Sequence, residues 1–144
     1  MAEPSAAHEA PYEELAHTAD LRLRVRGETR EALFAHAAEG LYALMRWAPP
    51  ADAPQQERTL IFSAPDAETL LVDWLAELLY LSEAHGVRWS AFAVQRASET
   101  ALLATVRGAI GGRPERPVKA VTYHGLRVAP GPDGRWEATI TFDV

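Results

Sequence analysis

The chain has 144 residues, of which 48% are hydrophobic and 24% charged, which suits one globular domain with a core and argues against two. It contains no cysteine, which excludes disulfides, thiolate zinc sites and a cysteine nucleophile, and leaves oxygen or imidazole ligands for any metal. The formal net charge of −6 disfavours direct binding to nucleic acid, because an acidic chain is repelled by a polyanion.

The N-terminal residues indicate neither a signal peptide nor a membrane span. The opening MAEPSAAHEA lacks a basic region followed by a hydrophobic one, and no stretch approaches the roughly 20 apolar residues that a span needs. We therefore expect a cytoplasmic protein that does not engage a membrane. Residues 1–11 are predicted to form a disordered arm, and residues 12–144 the domain.

The first half of the domain predicts strand, helix, strand and helix. Residues 21–25 alternate apolar and basic side chains, which is typical of a half-buried strand. Thr29 is the predicted N-cap of a first helix with one apolar stripe. A short strand at 59–63 precedes a second helix that starts at Pro65 and Asp66 and stops at His85 and Gly86.

The second half predicts only strands, separated by turns rich in glycine and proline. The predicted strands cover residues 88–96, 101–110, 118–128 and 135–143. Two amphipathic helices cannot bury their apolar faces without packing against another element. We therefore predict a single α+β domain, with both helices packed on one face of a mostly antiparallel β-sheet.

Acidic residues lie at the ends of the first and last predicted strands. Asp143 lies on the polar side of the last strand, next to the terminal carboxylate of Val144, and a hard cation would relieve the repulsion between them. Asp20 precedes the first strand and supplies a third set of oxygens if the two strands are neighbours. The alternative is that Asp20 pairs with Arg22 and that Asp143 is a solvated terminal residue.

Other polar residues allow a structural and a functional interpretation. Lys119 is predicted to lie on the same face of its strand as Val121. Either it contacts an anion there, or its charge prevents another strand from pairing with this sheet edge. His17 and His124 are possible metal ligands, although an ordinary hydrogen bond is more typical of a lone histidine. The arginines at 22, 24 and 26 are either a solvated strand face or a contact for phosphate or an acidic surface. We find no phosphate-binding glycine loop, GxSxG elbow or HExxH helix, and predict no catalytic residue.

Five segments of the sequence resemble the archease family. They are HTAD at 17–20, AAEGLYALM at 37–45, LLVDWLAELLYL at 70–81, VKAVTYHGL at 118–126 and the terminal TFDV. They occur in the family's order and cover nearly the whole domain. HTAD alone is a weak match, whereas VKAVTYH together with an acid one residue from the terminus is specific.

The resemblance implies a function that composition does not supply. Archeases are partners of RtcB-class RNA ligases in tRNA splicing and RNA repair; they promote GTP-dependent guanylation of the ligase and its repeated turnover. Their fold is α+β, and they carry a divalent cation, calcium in crystals, near the C-terminus. By this resemblance the chain is an accessory protein and not an enzyme, and reaches RNA only through the ligase.

The family's functional positions fall on particular residues here. The resemblance implies a metal site at Asp20, Asp143 and Val144, and places Lys119 and His17 at the contact that activates the ligase. Many relatives have an acidic residue before HTAD where this chain has Ala16, so a ligand or supporting acid is missing there.

The residues also allow two other classes of function. A chaperone-like interaction module would use exposed apolar strand residues and would not need Asp20 or Asp143. A metal-dependent hydrolase would need a base beside the ion in a concave pocket, and would turn over substrate without a ligase.

Overall fold

A computed structural model of the chain describes residues 10–15 and 20–144, which form two helices and eight strands. In chain order these are β1 (Tyr12–Leu15), β2 (Leu21–Gly27), α1 (Arg30–Met45), β3 (Gln55–Ser63), α2 (Ala67–His85), β4 (Val87–Ala97), β5 (Ala101–Ile110), β6 (Ala120–Thr122), β7 (Ala129–Pro130) and β8 (Trp136–Asp143). The predicted α+β class is confirmed. Within the described ranges, no helix is long and apolar enough to cross a membrane. Most of the predicted arm lies outside these ranges.

The strands form two sheets, where the sequence suggested one. The first sheet has the order β1-β2-β8-β6, with β7 also paired to β8, and the second has the order β3-β5-β4. Every pairing between described strands is antiparallel. Helix α1 packs against β2 and β4, and α2 against β4 and β6, so the helices contact both sheets. Residue alternation predicts which side of a strand is buried but not which strands are neighbours.

Local signals at the helix ends are confirmed by the hydrogen bonds. Thr29 Oγ1 accepts the Ala32 N–H at 3.1 Å, and Asp66 Oδ1 accepts the Thr69 N–H at 2.7 Å. Hydrogen bonds from Thr69 also hold the pKa of Asp66 below its usual range. Gly86 ends α2 with φ of +68°, a left-handed conformation that glycine adopts without steric cost.

One core joins the helices to the inner faces of both sheets. Trp74 of α2 donates its Nε1–H to the Phe34 carbonyl of α1 at 2.9 Å, which fixes the two helices against each other. Gly40 of α1 lies so close to β1 and β2 that a Cβ there would be 2.7 Å from the Leu23 side chain. The largest fully buried side chains are Trp74, Trp89, Tyr42, Phe34, Phe142, Leu23, Leu33, Leu41, Leu70, Leu71, Leu75 and Leu78.

The predicted strand at 118–128 is wrong for most of its length. Only Ala120–Thr122 pair with β8. The chain then turns: the Leu126 N–H donates to the Tyr123 carbonyl at 3.1 Å, and Gly125 has φ of +62°. The apolar residues on either side of this turn gave the segment a strand-like pattern, although a turn with a left-handed residue interrupts it.

The buried hydroxyl of Tyr42 provides a test of the core. It donates to the Leu78 carbonyl at 3.0 Å and contacts the Ser82 hydroxyl. We expect Tyr42→Phe to lower the free energy of unfolding by about 1 kcal/mol, because a buried hydrogen bond is lost. Urea denaturation measures this. Tyr80→Phe is the matched control, because Tyr80 is 62% exposed, and a larger effect at Tyr80 would contradict the assignment.

Burial raises the pKa of Tyr42 above its ordinary value near 10. The phenol therefore keeps its proton in the folded chain at a pH where the unfolded chain loses it. Its contribution to stability is complete below about pH 10 and declines as the pH rises above that value. Between about pH 9 and about pH 11, urea denaturation of the wild type should show a greater loss of stability than that of Tyr42→Phe. Equal losses would rule out this role.

Candidate functional site

The first and last long strands are neighbours, as the acidic-site hypothesis required. β2 pairs with β8 from Leu21↔Phe142 to Gly27↔Trp136. Extending this register by one residue brings Asp20 opposite Asp143 at the same end of the first sheet. On the other side of β8, Ala120 of β6 is the registered partner of Asp143. Three strands therefore meet where the chain ends.

The carboxylates at this end differ in exposure. Phe142 is fully buried, so the strand alternation turns Asp143 to the outer face of the sheet, where it is exposed. Val144 is 51% exposed. Asp20 is half-buried, and its Oδ1 atom is shielded from solvent. These groups provide the oxygen donors that a hard cation prefers. In the part of the chain that the structure describes, no three Asp, Glu or His side chains cluster closely enough to hold a metal by themselves.

Lys119 lies at the same sheet end, directly before β6. Its backbone N–H donates to the Asp143 carbonyl at 2.8 Å. The residue is exposed, and together with Ala120 and Val121 it lines a groove against α2. The structure thus brings Lys119 next to Asp143 along the backbone and places it at the edge of this groove.

Lys119 is also chemically distinctive within this chain. The sequence contains one lysine among its 14 basic residues, and all the others are arginine. A primary ammonium is a compact charge whose three donors rotate freely, whereas guanidinium is a flat fork. Lys119 is exposed, and no carboxylate of the described residues lies within ion-pair distance of it.

The groove beside Lys119, which we call the α2 groove, is a cavity of about 650 Å³. It is lined by α2, by residues 112–114 and 117–121, and by the buried Met45 and Trp47. Tyr80, which is 62% exposed, lies at its edge. No sequence motif marks this groove, because its residues come from three distant parts of the chain.

Hydrogen bonds fix residues 115–116, which connect the two stretches 112–114 and 117–121 of the groove lining. The Arg116 guanidinium donates to Glu14 of β1 at 2.9 Å, and this ion pair holds the pKa of the Glu14 carboxyl below its usual range. The N–H groups of Glu115 and Arg116 donate to the carbonyls of Arg46 and Met45 at the end of α1. Residues 115–116 are therefore fixed to both β1 and α1.

The outer arginine ladder is largely neutralised by carboxylates. Arg24 lies 3.4 Å from Glu13 and 3.8 Å from Glu137, and Arg26 lies 3.5 Å from Glu13. These pairs favour a charge-balanced strand face over a phosphate-binding patch. Arg22, across from Thr141, is the member of the ladder nearest to Asp143.

The histidines contribute little to the described site. His17 lies outside the described residues, as does Ala16. His124 is exposed in the turn after β6, where its backbone N–H donates to Thr122 Oγ1 at 3.3 Å. The suggestion that His17 or His124 ligates a metal stays a prediction.

Comparisons with known proteins agree on one family. The family described as "Archease protein family (MTH1598/TM1083)" matches residues 12–144. The chain belongs to the archease family. The Methanosarcina mazei protein archease is 33% identical over 141 residues, covering 92% of this chain and 95% of the relative. The archease of Methanopyrus kandleri is 35% identical over 142 residues, covering 93% of this chain and 99% of the relative.

Solved archease structures share the fold. The solution structure of Methanobacterium thermoautotrophicum protein 1598 superposes with a TM-score of 0.70 at 26% identity, covering 93% of this chain and 99% of that one. A crystal structure from Thermotoga maritima, described as an archease and possible chaperone, has a TM-score of 0.62 at 20% identity, covering 92% and 96%. At that identity the Thermotoga structure supports the archease fold alone.

Proposed function

We propose that this archease-family chain is an accessory protein that activates an RtcB-type RNA ligase in tRNA splicing and RNA repair. It promotes GTP-dependent guanylation of the ligase and repeated turnover, and it catalyses no reaction by itself. The observation that carries the proposal is the pairing of β2 with β8, which brings the family's two acidic positions, Asp20 and Asp143, to one end of a sheet. The partnership would operate in the cytoplasm.

A divalent cation, most simply Ca²⁺, fits the donor chemistry of this sheet end. Asp20, Asp143 and the terminal carboxylate of Val144 are the oxygen donors that would hold it. When bound, such an ion neutralises phosphate charge near a nucleotidyl-transfer centre. Because the described side chains supply too few ligands for a closed site, the proposal leaves coordination positions for solvent or for groups of the partner.

The chain's own residues would position the two proteins. Asp143 and Val144 are exposed at the chain terminus, so they can reach into a concave site of another protein. Lys119 presents an exposed ammonium at the same end of the sheet, where it can pair with a carboxylate or a phosphate. The net charge of −6 suits contact with a protein better than direct contact with RNA.

The first test measures guanylation of the cognate ligase with catalytic amounts of this protein. Wild type should stimulate the reaction, whereas Asp143→Ala and Lys119→Ala should each reduce the stimulation at least about tenfold, as expected when a charge central to an interface is removed. Circular dichroism confirms that each variant is folded.

Asp52→Ala is the matched control for this assay. Asp52 is exposed in the turn before β3, far along the chain from the acidic end, and its variant should stimulate like the wild type. Full stimulation by folded Asp143→Ala would contradict the proposal. Absence of stimulation by the wild type would leave the family relationship as evidence of fold alone.

The second test concerns the cation. At a Ca²⁺ concentration 100 times its Kd, binding to the folded state should add about 2.7 kcal/mol to the free energy of unfolding. Asp143→Asn should abolish most of that gain, and Asp52→Asn should keep it. Denaturation in Ca²⁺ and in chelator measures both. Equal stabilisation of Asp143→Asn and the wild type would place the ion elsewhere.

A chaperone-like module is the second candidate function. One observation favours it: the α2 groove has an apolar lining that includes the half-buried Leu79, Val118 and Val121. Under this alternative, substitutions in the groove would reduce protection of a client against aggregation, and Asp143→Ala would not.

A further inference from the structure

The α2 groove has the properties of a protein-binding surface. Its volume of about 650 Å³ lies within the range of typical ligand sites. Met45, Leu79, Val118 and Val121 give it an apolar lining. Exposed apolar surface of this kind on a soluble domain usually marks an interaction site.

The charged side chains that line the groove favour a ligand that carries acidic residues. Arg113 and Lys119 supply two cations to its lining, and Glu83 supplies its one carboxylate. No carboxylate among residues 10–15 and 20–144 forms an ion pair with either cation. In a chain with an overall charge of −6, this local excess of positive charge favours an acidic segment.

The backbone of the wall argues against strand addition. Pro114 and Pro117 have no N–H, and the N–H groups of Glu115, Arg116 and Lys119 already donate to carbonyls of this chain. A strand added here would find few main-chain donors. Side-chain burial is therefore the available source of affinity.

We propose that the α2 groove binds a segment of a partner protein that inserts one large apolar side chain, preferably aromatic, between acidic neighbours. The anchor would pack between α2 and residues 118–121, and its acidic flanks would pair with Lys119 and Arg113. The proposal does not depend on the partner being the ligase. Peptide binding and ligase guanylation are separate measurements, so either proposal can fail alone.

The single lysine makes a direct assay possible. Reductive methylation with ¹³C-formaldehyde labels Lys119 and the α-amino group, and a dimethylated lysine keeps its charge. In a carbon–proton correlation spectrum, the Lys119 signal reports on the groove and the α-amino signal is an internal control. The probe is the peptide acetyl-Ala-Asp-Trp-Asp-Ala-amide.

We expect this peptide to shift the Lys119 signal saturably and to leave the α-amino signal in place. Replacing its tryptophan by alanine, or both aspartates by lysine, should weaken binding at least about tenfold, because the first change removes the buried anchor and the second creates like-charge contacts. Equal binding of the alanine peptide or the lysine peptide would overturn the proposal, as would the absence of any shift.

Two substitutions on α2 complete the test. Ala76 is exposed and lines the groove, whereas Ala84 is exposed on the same helix and does not line it. Ala76→Trp should fill the groove and abolish peptide binding, and Ala84→Trp should bind like the wild type. Undiminished binding by folded Ala76→Trp would place the peptide elsewhere. A doubled mass in light scattering, lost in Ala76→Trp, would identify a second copy as the occupant and also overturn the proposal.

Discussion

Strands β2 and β8, the central pair of the first sheet, pair along the register from Leu21↔Phe142 to Gly27↔Trp136. Their inner residues, among them Leu23 and Phe142, are fully buried against the helices. A slip of one residue would expose these side chains, so burial determines the register. The same register determines where Asp20 and Asp143 lie, because Asp143 directly follows the buried Phe142 and Asp20 directly precedes Leu21, the registered partner of Phe142. Core packing therefore places the charged residues of the candidate site.

Local signals in the sequence predicted much of this arrangement. Thr29 and Asp66 are capping residues whose side chains act within three residues of their own positions, and the alternation at 21–25 reflects a strand with one buried face. The meeting of Asp20 and Asp143 was expected only on condition that β2 and β8 pair. That condition depends on contacts between residues more than 100 positions apart, which no local pattern encodes.

Non-local structure accounts for what the sequence did not predict. The apolar residues between 118 and 128 have a strand-like pattern, yet β8 pairs with only Ala120–Thr122 of that segment before the turn at Gly125. The division into two sheets depends on which strands become neighbours. The α2 groove joins Met45, Ala76 and Lys119, and neither Met45 nor Ala76 is distinctive in its own segment. The sequence singled out Lys119 by its strand parity, but its place beside α2 depends on contacts between distant segments.

One short strand connects the α2 groove to the acidic end of the first sheet. Lys119 lines the groove with its side chain and holds the Asp143 carbonyl with its N–H at 2.8 Å. Because β6 has only three residues, few ladder hydrogen bonds resist a shift of residues 118–121. Residues 118–121 therefore belong to the lining of the groove and also, through Ala120 and the Lys119 N–H, to the backbone that pairs with Asp143. The groove and the acidic site are built on one short segment of the chain.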